Sequence, residues 1–138
     1  MPSNQTASAA GLEEMKRLVA ALVPRLLQGT DPAYAVLRQQ FAAASITVKA
    51  ETTWGFYADF QFSEDTSRVE PPDFCGGDAK IKIEGVKNGA TCVLYVKGGR
   101  LSFLEVATYD EPWIDPPKFL DVSNVRPLAI GENQPRPA

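Results

Sequence analysis

"AKIKIEGVKNGATCVLYVKGGRLSFLEVATY", residues 79–109, decides the fold class. Its apolar residues recur with a period of two through 79–86, 91–97 and 100–109, the pattern of strands. Between these runs stand Asn88-Gly89 and Gly98-Gly99, residue types that accept the positive φ of two-residue hairpin turns. The expectation is three antiparallel strands joined by tight turns at those two pairs.

The same stretch sets a problem. An antiparallel sheet buries one face and keeps the other polar where it meets water. Residues 79–85 obey, because Lys80, Lys82 and Glu84 alternate with Ile81 and Ile83. The next strand carries Cys92, Leu94 and Val96 on one side and Val93 and Tyr95 on the other. In the third, Leu101, Phe103, Glu105, Ala107 and Tyr109 oppose Ser102, Leu104, Val106 and Thr108. Strands apolar on both sides imply a cover on both: another part of the chain, a second copy, or a foreign partner or ligand.

Outward from the meander, "SITVKAETT" (45–53) and "GFYADFQF" (55–62) also alternate. Phe56, Ala58, Phe60 and Phe62 face one way, Tyr57, Asp59 and Gln61 the other. Residues 63–78, rich in turn formers and acids, read as a long loop. Before them the period is 3.6. Leu12, Met15, Leu18, Val19, Leu22, Val23, Leu26 and Leu27 form the stripe of a helix starting near Gly11. Glu13 and Glu14 suit its start and Gly29 its stop, and Pro24 predicts a kink or break. A second helix begins with Asp31 as cap and Pro32 in the first turn, and turns Val36, Leu37 and Phe41 inward. A last strand is expected near 118–125. The fold class is α+β: a helical hairpin on one face of a five- or six-stranded, mainly antiparallel sheet. Residues 11–130 form one domain, with a disordered start over 1–10 and a loose tail over 131–138.

"YDEPWIDPP", residues 109–117, is the candidate cover for the second face. Pro112, Pro116 and Pro117 lower the entropy cost of holding it in place. Trp113 and Ile114 are expected to drop onto Tyr57, Tyr95, Phe103 and Tyr109, leaving Asp110, Glu111 and Asp115 wet.

The chain has no histidine, which removes Ser-His-Asp and Cys-His catalysis and His-containing zinc sites. Its two cysteines, Cys75 and Cys92, are too few for a four-Cys zinc site. They read as thiols in a reducing cytoplasm, a disulfide between them staying open. No glycine-rich phosphate loop is present, and "DEPWID" lacks the spacing and glycine of a calcium loop. No cofactor or metal is expected. A net charge of −3, with scattered basic residues, argues against nucleic acid. No run approaches the ~20 apolar residues of a membrane span, and no signal peptide is evident at the start.

Two functions stay open. The favoured one is a non-enzymatic module that binds a protein partner or itself through Tyr57, Asp59, Tyr95, Phe103, Glu105, Tyr109, Asp110, Glu111 and Trp113. The alternative is a small-ligand binder or carboxylate enzyme, with Asp59, Glu105, Asp110 and Glu111 lining a cavity between sheet and flap. The acids on strands, Asp59 and Glu105, have a simpler role as partners of Lys80, Lys82 or Lys97. No residue is assigned as catalytic.

"WGFYADFQF" (54–62) and "CGGDAKIKIEGVKNGATCVLYVKGGRLSFLEVATYDEPW" (75–113) resemble a group of small bacterial proteins of unknown function. Their pattern runs GF[FY]xxF, then LSxLE, then DEPW, and covers roughly residues 54–113. Some members look similar in size and build to immunity proteins of bacterial toxin systems. The resemblance implies a bacterial, cytoplasmic α+β domain and carries no site residue.

Overall fold

The computed structural model describes residues 8–49 and 54–130. Helix α1 runs Ala9–Leu26 and buries Met15, Leu18, Val19, Leu22, Val23 and Leu26, the expected stripe. It starts two residues before Gly11, because Ser8 caps it by accepting the Gly11 N–H at 2.9 Å. Glu13 and Glu14 therefore fall after the first turn. The helix passes through Pro24 and ends a few residues later, so the expected break is absent. Its last carbonyls find tertiary partners rather than a glycine cap. Leu128 N–H donates to Leu26 O at 2.8 Å, and Arg38 Nη1 donates to Leu27 O at 2.5 Å. Helix α2, Pro32–Ala43, is capped by Asp31, whose side chain accepts from Ala33 N–H at 2.9 Å. It buries Tyr34, Leu37 and Gln40, with Val36 and Phe41 at the margin of the core.

Seven strands follow among the described residues: β1 Ser45–Lys49, β2 Gly55–Gln61, β3 Phe74–Gly76, β4 Asp78–Ile83, β5 Val86–Lys97, β6 Arg100–Thr108 and β7 Phe119–Arg126. The order is β1-β2-β6-β5-β4-β7, with every pairing antiparallel. The α+β architecture is as expected, with one strand more. That extra strand, β3, lies inside the supposed 63–78 loop. Phe74, Cys75 and Gly76 pair with Val96, Tyr95 and Leu94, in line with β4 along the free side of β5. Both helices lie on one face, α1 near β7 and β1 and α2 near β6. There Phe56, Ala58, Ile81, Cys92, Leu94, Leu104 and Val106 form the core, each at most 2% exposed. Of the start expected to be disordered, residues 8–10 instead cap and open α1; the expectations for residues 1–7, 50–53 and 131–138 lie outside the described residues.

Two local expectations are corrected. The β4–β5 turn is Glu84-Gly85, with Ile83 opposite Val86 and Gly85 at φ 85. Asn88-Gly89 sits inside β5, where the register against β4 shifts; Gly89 has φ 67 and passes so close to β4 that a Cβ would stand 2.4 Å from Ile81 O. The Gly98-Gly99 turn forms as expected, at φ 61 and 81. Beyond it, the register shifts again, pairing Val96 with Leu101 but Tyr95 with Phe103. This bulge separates Leu101 from the set it shares by simple alternation: Leu101 is buried in the core, while Phe103 turns to the other face.

Candidate functional site

The second sheet face is built by the residues that alternate with the core. Across it, Tyr57 pairs with Glu105, Asp59 with Phe103, Val93 with Glu105 and Tyr95 with Phe103. Three rings make a row over β2, β6 and β5. Phe103 stacks on Tyr95 at 4.2 Å between centroids and meets Tyr57 edge-on at 5.8 Å. Each is half-buried.

Charge borders the row. Lys49 Nζ stands 3.1 Å from Asp59 Oδ2, so the carboxylate's partner is on β1 rather than Lys80, Lys82 or Lys97. Both groups are partly exposed, so the pair adds little stability. Burial, and then the nearby Glu105 carboxylate, raise the Tyr95 hydroxyl above its ordinary range. Cys75, opposite Tyr95, belongs to this face, whereas Cys92 points into the core, where burial and then the Asp78 charge push its thiol up to about 12. Both thiols are free and lie on opposite sides of the sheet, which removes the disulfide alternative.

The 109–117 segment does not cover this face. It turns at Asp110, φ 63, and crosses to the helical side of the sheet. Trp113 packs 5.6 Å from the buried Phe56 ring and 6.1 Å from Phe119, between centroids. Its indole N–H has no hydrogen-bond acceptor among the described residues. Ile114 stays 38% exposed, beside Gly85.

The reason lies in the acids expected to stay wet. Glu111 accepts Lys87 N–H at 2.7 Å and Asn88 N–H at 2.8 Å, amides of the irregular stretch of β5. Asp115 accepts Ser8 N–H at 2.9 Å and Ser8 Oγ–H at 2.8 Å at the start of α1. A Cβ on Gly11 would lie 2.1 Å from that carboxylate, so the clasp depends on glycine there. Carboxylate-to-amide bonds at both ends thus drag the segment away from the aromatic row.

Tyr57, Asp59, Tyr95, Phe103 and Glu105 are therefore brought together. Tyr109, 53% exposed beyond the strand end, and Asp110, Glu111 and Trp113 are not. The cavity of four acids is not formed, because Glu111 serves the β5 backbone while Asp59 and Glu105 stand on the second sheet face. Among the described residues no group of three or more Cys, Asp or Glu is placed to hold a metal ion. Val93 and Cys75 join the face. Val93 was visible as a partner of Tyr95 in the alternation, whereas Cys75 was hidden by reading 63–78 as loop.

Glu111 supports a pH prediction. Its backbone hydrogen bond from Asn88, with help from Lys87, lowers its pKa from the ordinary carboxylate value. A lowered folded pKa gives stability that is present above the unfolded carboxylate range and is lost as pH falls through the folded value. Wild type should melt above Glu111→Gln at neutral pH, and the difference should shrink on acidification. A gap that is constant with pH would refute the charge-assisted clasp.

No helix among the described residues is long and apolar enough to cross a membrane. The chain matches no protein-family model, no curated protein and no solved structure.

Proposed function

We propose that this protein is a non-enzymatic interaction module that docks a protein partner on its open sheet face. The observation that carries the reading is the Tyr57–Phe103–Tyr95 row, which neither helix nor the 109–117 segment covers. Aromatic residues are enriched in the cores of protein interfaces, where a rigid ring desolvates a large area at low entropy cost. Glu105, beside the Lys49–Asp59 pair, gives the patch a charged border that would orient a partner carrying basic residues. A cytoplasmic role of the immunity-protein type fits this build, since sequestering a partner needs no histidine, nucleotide loop or metal.

Phe103→Asp tests the reading. The ring is half-buried, so the variant should stay folded at a stability cost of about 1 kcal/mol. Immobilised wild type, challenged with lysate from its native host, should retain a species that Phe103→Asp loses. Hydrogen exchange should then show protection of β2, β5 and β6 in the complex. Equal retention by both proteins, or no retained species, would remove the proposal.

A further inference from the structure

The β7 and β1 edges of the sheet differ in character. β7 is irregular: its register against β4 shifts twice, Asn124 has φ 51, and it carries Asp121 and Arg126. Bulges and charges of this kind blunt an edge against pairing with another chain. β1 has no such protection. It pairs with β2 without a register shift from Ser45 to Lys49 and contains neither proline nor glycine. Among the described residues no backbone hydrogen bond reaches it from outside the β1–β2 ladder. Its one charge, Lys49, is already held by Asp59.

We propose that β1 pairs antiparallel with β1 of a second copy, about a twofold axis through Thr47. Over the described residues 45–49 the strand is self-complementary in that register. Centring on Thr47 engages all five residues. Thr47 then faces Thr47, a favourable cross-strand pair, and Lys49 faces Ser45, so no like charges meet. Ile46 faces Val48. Both are half-buried at the margin of the core, and each would complete the other's burial across the edge. Centring on Lys49 would oppose two ammonium groups, and centring elsewhere would engage fewer of the described residues 45–49.

Pairing of this kind continues the sheet through both copies and keeps like faces on the same side. The helices of both copies lie on one side and the two aromatic rows on the other, side by side. A ladder of five residues is a small interface, so the dimer dissociates in the micromolar range. The inference rests on the edge and stands apart from the open-face reading.

Thr47 is exposed and makes only a 3.5 Å side-chain hydrogen bond to Gln61, so it accepts charge without loss of the fold, which circular dichroism checks. Sedimentation equilibrium should show a wild-type dimer that Thr47→Lys and Thr47→Glu each weaken by about tenfold or more. An equimolar mixture of the two variants should restore a heterodimer, resolved by native mass spectrometry. Phe103→Asp should leave the dimer intact even where it abolishes partner capture. A wild-type monomer at millimolar concentration, a dimer indifferent to charge at position 47, or no recovery on mixing would each overturn the proposal.

Discussion

Gln40→Leu is expected to lower the free energy of unfolding by about 3 kcal/mol, although the substitution keeps the side chain's approximate size. Gln40 is 2% exposed, and its amide is the hub between α2, the 63–73 segment and the β5–β6 turn. Nε2 donates to Ser67 O at 2.8 Å and to Gly99 O at 3.0 Å, and Oε1 accepts from Leu101 N–H at 2.9 Å. A leucine makes none of these bonds and strands the Leu101 N–H, whose register shift leaves it dependent on Gln40. Each such bond contributes about 1 kcal/mol net, and an orphaned buried group costs about 1–3 kcal/mol, so the sum reaches the stated size. Urea denaturation should show a lower midpoint with an unchanged slope. Gln40→Glu should be similarly destabilised at neutral pH, because a carboxylate has no proton for the two carbonyls. Part of the loss should return in acid, when the carboxyl can donate again. A loss below about 1 kcal/mol in both variants would show that the turn holds without this amide.

Gly55→Ala is the second large effect. Gly55 does not carry a positive φ, so the argument concerns space alone. A Cβ at this position would stand 1.8 Å from Val106 O and 2.9 Å from Ala107 Cα, both backbone atoms of β6. No side chain can swing aside to make room. β2 must move off β6 where Gly55 pairs with Ala107, next to the buried Phe56. The expected loss is about 3 kcal/mol or more, at the upper end for single substitutions, and a failure to fold lies in the same direction. Gly98→Ala provides the comparison. There the φ of 61 disfavours alanine, but the nearest atom is Arg68 Nη1 at 3.9 Å, so about 1–2 kcal/mol is expected. Melting curves that rank Gly98→Ala as the more damaging would contradict the space argument.

The candidate site was legible as far as alternation reaches. Tyr57, Asp59, Tyr95, Phe103 and Glu105 stand on one face because β2, β5 and β6 keep a period of two through them, so pairing brings same-face residues together. Trp113 was assigned to the wrong side of the sheet. No periodicity constrains a segment of turns and prolines; its direction depends on where Glu111 and Asp115 find amides to bind. Gln40 was passed over because a polar residue on a helix gives no sign of burial until the carbonyls it serves are in place.

The sequence by itself determined the two helices, the alternating strands and the doubly apolar character of the central ones. Each of these depends on residues within one turn or one strand of each other. Only the tertiary structure decided between Glu84-Gly85 and Asn88-Gly89 as the β4–β5 turn. Either choice leaves Ile81 and Ile83 on the same face as Leu94 and Val96, so burial cannot distinguish them. The outcome followed from two distant partners: β3, which occupies β5 opposite residues 94–96, and Glu111, which binds the amides that β4 leaves free. Local patterning specifies which face a residue takes, whereas register along the strand and the path of a loop depend on hydrogen-bond partners that only the assembled fold brings within reach.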